Sequence, residues 1–241
     1  MISNSELKYI QSFAHKKHWD QESVFIVEGP KLMKEVLESD WTIEKIYATE
    51  DWLKSQKTIM LPVEQVDEIV LARISQFKTA NQVLALVKKK EYQKSMQFDK
   101  ELTLVLDGIQ DPGNLGTIIR TADWFGVQQI IVSDDTAGLY NPKVIQSSMG
   151  SFLRVQVASY HLESVLASTK LPVYGAVLNG KLYNTNKIQT PSFLIIGNES
   201  KGIRPPLLPY ITHPITIPHF GDAESLNAAV ATGILLSSWK S

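Results

Sequence analysis

The sequence predicts an α/β protein in two parts: a small N-terminal α/β unit over residues 1–92, and a larger domain over residues 93–241 with a mostly parallel sheet and helices on both faces. Three observations predict it. Beyond residue 100 the chain carries six short apolar runs, with helix-like stretches between several of them. Runs of that kind are strands buried on both faces. Residues 88–100 (KKKEYQKSMQFDK) form a polar, charged seam between two apolar runs, as a linker does. Before that seam the chain alternates helix-like and strand-like stretches of its own.

In chain order, residues 5–15 read as a helix and 24–27 (VFIV) as a strand. Residues 30–38 follow as a helix with Pro30 in the first turn, where its missing N–H costs nothing. Residues 43–48 read as a strand, 63–71 as a helix, and 83–87 as an apolar run leading into the seam. Past the seam, the strand candidates are 102–106 (LTLVL), 129–132, 154–158, 173–177, 193–196 and 215–217. Residues 225–239 make a final apolar helix. There is no internal repeat and no low-complexity segment.

Three polar segments stand out, each directly after an apolar run. The first is DPGNLGTIIRTADWFG at 111–126. Gly113 and Gly116 lack a Cβ and admit close approach, and Asn114 can both donate and accept. Arg120 lies about one and a half turns further along, among Ile118, Ile119, Ala122 and Phe125. A guanidinium with apolar neighbours needs a carboxylate or phosphate partner, so it is expected to point inward, to an anionic ligand or to Asp107 or Asp123. The second segment is GNESKGI at 197–203, with Glu199 as its acid. It follows a strand, and ligands of open α/β sheets bind at that edge. An exposed Glu in a glycine-rich turn is the plainer alternative. The third is IPHFGDAESLNAAVATGILL at 217–236, with Ser225 and Asn227 at the mouth of the last helix. Ser225 reads as a cap; Asn227 reads as lying inside the helix start, where a cap does not explain it.

Composition narrows the choices. The net charge is −1, so a nucleic-acid partner must meet a local basic patch rather than the whole surface. With no cysteine there is no disulfide, thiolate metal site or cysteine nucleophile. No G-x-G-x-x-G follows a strand, no P-loop is present, and the five histidines lack H-E-x-x-H spacing, so no metal is expected. No apolar run approaches the ~20 residues that span a bilayer, and the start of the chain has no signal-peptide core. A soluble cytoplasmic protein is expected.

Taken together and in this order, the three segments resemble the three motifs of the SpoU/TrmH family of RNA ribose 2′-O-methyltransferases, in the SPOUT superfamily. The likeness spans residues 101–241. Residues 16–37 (KKHWDQESVFIVEGPKLMKEVL) resemble the family's substrate-binding domain, itself similar to a small RNA-binding ribosomal protein. Trp19 stands where relatives often carry Arg, and KTANQVLALV lacks a Pro-Gln-Gly common there.

The resemblance implies an RNA substrate-binding domain at 1–92 and a catalytic domain at 93–241 whose chain threads a trefoil knot. It implies S-adenosylmethionine as cofactor, contacted at Gly197, Asn198, Ile217, Pro218 and Leu226. It also implies a homodimer, with ribosomal RNA as first choice of substrate and transfer RNA as second. The catalytic set carried over is Asn114, Arg120, Glu199, Ser225 and Asn227. Arg is always protonated, so Arg120 is expected to clamp a phosphate and stabilise the incipient alkoxide rather than act as a base. A phosphate oxygen, water or Glu199 then takes the proton. Lys16, Lys17 and His18 are the candidate RNA contacts, with a solvated basic helix end as the alternative.

Overall fold

The computed structural model describes residues 2–57, 59–77, 79–90, 92, 96–183 and 188–239, apart from the side chain of Trp19. Part of the polar seam therefore lies outside the described residues. The elements up to the seam are α1 (Asn4–Ser12), α2 (Lys16–Gln21), β1 (Val24–Glu28), α3 (Pro30–Leu37), β2 (Ile43–Ala48), α4 (Glu50–Ser55), β3 (Val63–Gln65), α5 (Glu68–Ile74) and β4 (Val83–Lys88). Beyond it come β5 (Leu102–Asp107), α6 (Pro112–Trp124), β6 (Gln129–Val132), α7 (Pro142–Ser148), β7 (Gln156–Ser159), α8 (Leu162–Ser168), β8 (Val173–Leu182), β9 (Ser192–Gly197), β10 (His213–Thr216) and α9 (Ala228–Trp239).

The chain groups into two units: Met1–Lys90 with Tyr140–Leu153, and Glu91–Leu139 with Arg154–Ser241. A single cut at 92/93 does not capture this grouping. The first unit holds a four-stranded sheet in the order β1-β4-β2-β3, antiparallel except for β2 and β3. One face packs Leu7, Ile10 and Phe13, spaced near one turn apart, against Ile26, Tyr47, Leu71 and Leu84. On β1, Phe25 meets Trp41, Tyr140 and Phe152 at centroid distances of 5.7, 4.8 and 5.6 Å. All five β1 residues are buried, which explains its unbroken apolar run. The exception is Glu28, whose carboxylate accepts from the Ser75 hydroxyl and, at 3.1 Å, from Gln76 N. Gly29 turns the chain at φ 102°, a conformation side chains resist, and Pro30 then opens α3.

One element here differs from the sequence reading. Residues 63–71 are not one helix: Val63–Gln65 pairs in parallel with Ile46–Ala48, and α5 starts only after Asp67 caps Val70 N at 2.7 Å. A distant strand partner outweighs local propensity there.

The second unit holds a six-stranded, wholly parallel sheet in the order β10-β8-β9-β5-β6-β7. Central β5 is buried along its whole length. The strands match the six expected runs, with β8 running on to Leu182. From β5 the chain builds β6 and β7 on one side, then places β8, β9 and β10 on the other. The order reverses between β5 and β9, the switch point at which α/β sheets bind ligands. Asp107 is in register with Gly197, so the turns after β5 and β9 leave the sheet side by side. One face of the sheet packs α8 through Leu162 and Leu166. α6 and α9 pack on each other, with Gly233 close enough that an added Cβ would sit 3.7 Å from the Thr121 methyl.

Candidate active site

Three polar side chains from three separate segments form one hydrogen-bonded chain. Asn227 Nδ2 donates to Asn114 Oδ1 at 2.9 Å, and Asn114 Nδ2 donates to Glu199 Oε1. Ser225 Oγ donates to the Glu199 carbonyl at 3.3 Å. Each partner is held from behind. Asp111 caps α6 by accepting from Asn114 N at 2.9 Å. Asn227 caps α9, its Oδ1 accepting from Ala229 N at 2.9 Å and Val230 N at 3.3 Å. This corrects the expectation that Asn227 lies within the helix: α9 begins at Ala228, and Asn227 has both a capping oxygen and a site-facing amide. Glu199 is half-buried, and its second carboxylate oxygen has no partner among the described residues.

The loop that carries Glu199 is a closed turn. Asn198 N and O exchange hydrogen bonds with Gly202 at 3.1 and 2.9 Å. Asn198 Oδ1 accepts from Ser200 N and Lys201 N, while its Nδ2 reaches across to Gly108 O at 2.8 Å. At Gly197 an added Cβ would stand 2.2 Å from the Gly202 carbonyl carbon, so only glycine fits. The far end is fastened by Arg204, which the sequence reading missed. Its backbone N–H donates to Asp107 Oδ2 at 2.7 Å, and its guanidinium pairs with Asp107 Oδ1. Asp107 is fully buried, and its hydrogen bond holds the guanidinium proton above the ordinary range. An acid ending an apolar strand was the signal: such a group needs a cation.

Arg120 is placed differently from expectation. Leu115, Ile118, Ile119 and Ala122 make the buried stripe of α6, and Arg120 lies on the opposite, exposed face with Thr117 and Trp124. The two carboxylates considered for it are engaged elsewhere: Asp107 by Arg204, and Asp123 by Arg154 at 2.9 Å. Arg120 makes no ion pair or hydrogen bond among the described residues. It is a free cation rather than an inward structural one. Ile217 and Pro218 follow β10, and Leu226 sits between Ser225 and Asn227 with 45% of its surface exposed. Lys16, Lys17 and His18 lie exposed on α2 in the first unit. Among the described residues, no cluster of three or more His, Asp or Glu could hold a metal, and no helix is long and apolar enough to cross a membrane.

A parallel α/β sheet with a tethered carboxylate at its switch point belongs to the class of α/β proteins that bind a ligand at that edge. Comparison with known proteins identifies the family. Residues 101–237 match the SpoU rRNA Methylase family, and residues 4–85 match the MRM3-like substrate binding domain. The chain belongs to the SpoU methylase family. It is 33% identical over 239 residues to the 23S rRNA (guanosine(2553)-2′-O)-methyltransferase RlmP of Bacillus subtilis, covering 97% of this chain and 95% of that one. A TrmH-family protein of Porphyromonas gingivalis superposes with TM-score 0.88 at 35% identity, over 99% of this chain and 98% of that one. An rRNA methyltransferase of Sinorhizobium meliloti, solved with AdoMet bound, superposes with TM-score 0.87 at 28% identity, over 100% and 95%.

Proposed function

We propose that this protein transfers a methyl group from S-adenosylmethionine to a ribose 2′-hydroxyl of RNA, with ribosomal RNA as substrate. The observation that carries the reading is the Asn227–Asn114–Glu199 chain, which leaves one carboxylate oxygen without a partner among the described residues at the sheet's switch point. The methyl donor suits the adjoining surface: Leu226 is exposed, and Ile217 and Pro218 are half-buried. We assign cofactor binding to Gly197, Asn198, Ile217, Pro218 and Leu226. S-adenosylmethionine supplies a methyl group on a sulfonium.

In this reading, Arg120 binds the phosphate next to the target ribose and stabilises charge as the hydroxyl loses its proton. Glu199 accepts that proton, directly or through water, while Asn114 holds its other oxygen. Ser225 and Asn227 fix the loop and the amide. Lys16, Lys17 and His18 take RNA phosphates from the first unit. The C-terminal segment threads the family's knot, and the protein works in the cytoplasm. It acts as a homodimer: Trp124 (84% exposed) on α6 and Val230 (51%) on α9 are apolar groups on two helices packed together, a face suited to a second copy.

Mapping 2′-O-methyl marks in total RNA with and without the gene tests the activity. One ribosomal site should lose its mark. Arg120→Ala should cut kcat by about 10²–10³ with S-adenosylmethionine affinity unchanged by calorimetry. Near-normal turnover in Arg120→Lys would show that no bidentate clamp operates.

A further inference from the structure

Phe220 is 95% exposed, more than any other large apolar residue described. It stands in the loop between β10 and α9, and both ends of that loop are anchored. At one end Ile215 is buried and Thr216 Oγ1 donates to Leu178 O at 3.0 Å. At the other, Ser225 Oγ donates to the Glu199 carbonyl and Asn227 donates to Asn114, which holds the Glu199 carboxylate. Ser225 is five positions along the chain from Phe220, so the ring's backbone lies at most ~17 Å from that anchor. Beside it, an added Cβ at Gly221 would meet nothing within 4 Å, so the loop has open space there. A phenyl ring held in water, within ~17 Å along the chain of a polar cluster, loses the favourable transfer free energy of burial, and no described side chain covers it. Its usefulness lies in a partner with a flat face. Single-stranded RNA offers one, because unstacked bases dock on aromatic side chains.

We propose that Phe220 is a specificity-determining contact: it stacks on an unpaired base at or next to the methylated nucleotide and selects single-stranded over helical RNA. This rests on the RNA methyl-transfer reading above. The inference does not extend to which base is stacked, since every base has a π-face.

The test uses the full-length protein, tritiated S-adenosylmethionine and two probes: unmodified transcribed 23S ribosomal RNA, and the same transcript annealed to complementary DNA across the methylated site. Phe220→Ala should raise KM for the free transcript about 5- to 100-fold, the range expected for one lost stack. Phe220→Tyr and Phe220→Trp should restore it, and Phe220→Leu should not. Affinity for S-adenosylmethionine and dimer mass should stay at wild-type values in all four. The annealed transcript should be a poor substrate for the wild-type protein, and its disadvantage relative to the free transcript should shrink in Phe220→Ala; an undiminished disadvantage overturns the selective role. An unchanged KM in Phe220→Ala, full rescue by Leu, or loss of dimer or cofactor binding overturns the stacking role. If the wild-type protein binds S-adenosylmethionine but transfers nothing to RNA, the activity reading falls and takes this inference with it.

Discussion

Asn114 is the joint of the site, because its two amide atoms serve two different segments. The Oδ1 accepts from Asn227 and the Nδ2 donates to Glu199. Replacing Asn114 by Asp exchanges that donor for an acidic oxygen beside Glu199. Two carboxylates sharing a site cannot both ionise easily, so the apparent pKa on the acid limb of the pH–rate profile should rise. An unshifted limb in Asn114→Asp would remove Glu199 as proton acceptor. Arg204 calls for a different measurement. Arg204→Ala leaves Asp107 buried without its cation, though the backbone N–H still reaches it. We expect a loss of about 2–3 kcal/mol in urea unfolding, below the full cost of breaking a buried pair, because the guanidinium is partly exposed. Gly197→Ala should be worse for cofactor binding than for the sheet. Its Cβ collides with the backbone of the turn rather than with core side chains.

At the scale of elements, α1 is pinned to the four-stranded sheet by a polar cluster. Lys45 on β2 bonds Glu6 of α1 at 2.7 Å and Glu64 of β3 at 2.6 Å, and the Tyr47 hydroxyl also donates to Glu6. The hydrogen bond from Lys45 is the main force holding both carboxyls below their ordinary 4.5. A depressed acid stabilises the fold fully above its unfolded value and loses that contribution as pH falls through the folded one. The first unit should therefore melt at lower temperature as pH drops below 4.5, and Lys45→Met should flatten that dependence in thermal scans. The second unit's helices carry the assembly prediction. Trp124→Glu with Val230→Glu should give monomers by light scattering, with secondary structure unchanged.

At the scale of the molecule, the two units are interleaved in sequence. Tyr140–Leu153 belongs to the first, where Phe152 sits 5.6 Å from both Phe25 and Trp41, and Tyr140 exchanges hydrogen bonds with the Lys90 backbone. Removing residues 1–90 strips those partners and leaves Phe152, now fully buried, exposed. The fragment 91–241 should aggregate or bind a hydrophobic dye where the full chain does not. A soluble, active fragment would show that this aromatic cluster contributes nothing essential. On the binding side, replacing Lys16 and Lys17 by Ala should weaken RNA affinity and lower its salt slope.

Much of this was legible without coordinates. The parallel sheet follows from uninterrupted apolar runs such as LTLVL, since only a strand covered on both faces tolerates them. The three polar segments could be picked out because Asn114, Glu199 and Asn227 lie in polar stretches that each follow an apolar run. Other features depended on contacts far apart in the chain. Val63–Gln65 became a strand because β2 was beside it. Asn227 became a cap because α9 started three residues later than periodicity suggested. Arg120 turned outward because the apolar stripe of α6 left it no inward place, and Asp107 found its cation 97 residues away. Local pattern and composition determined which segments were strands, helices and polar turns. Only the tertiary structure decided which polar atoms met, because that depends on strand order and register, and no local pattern encodes either.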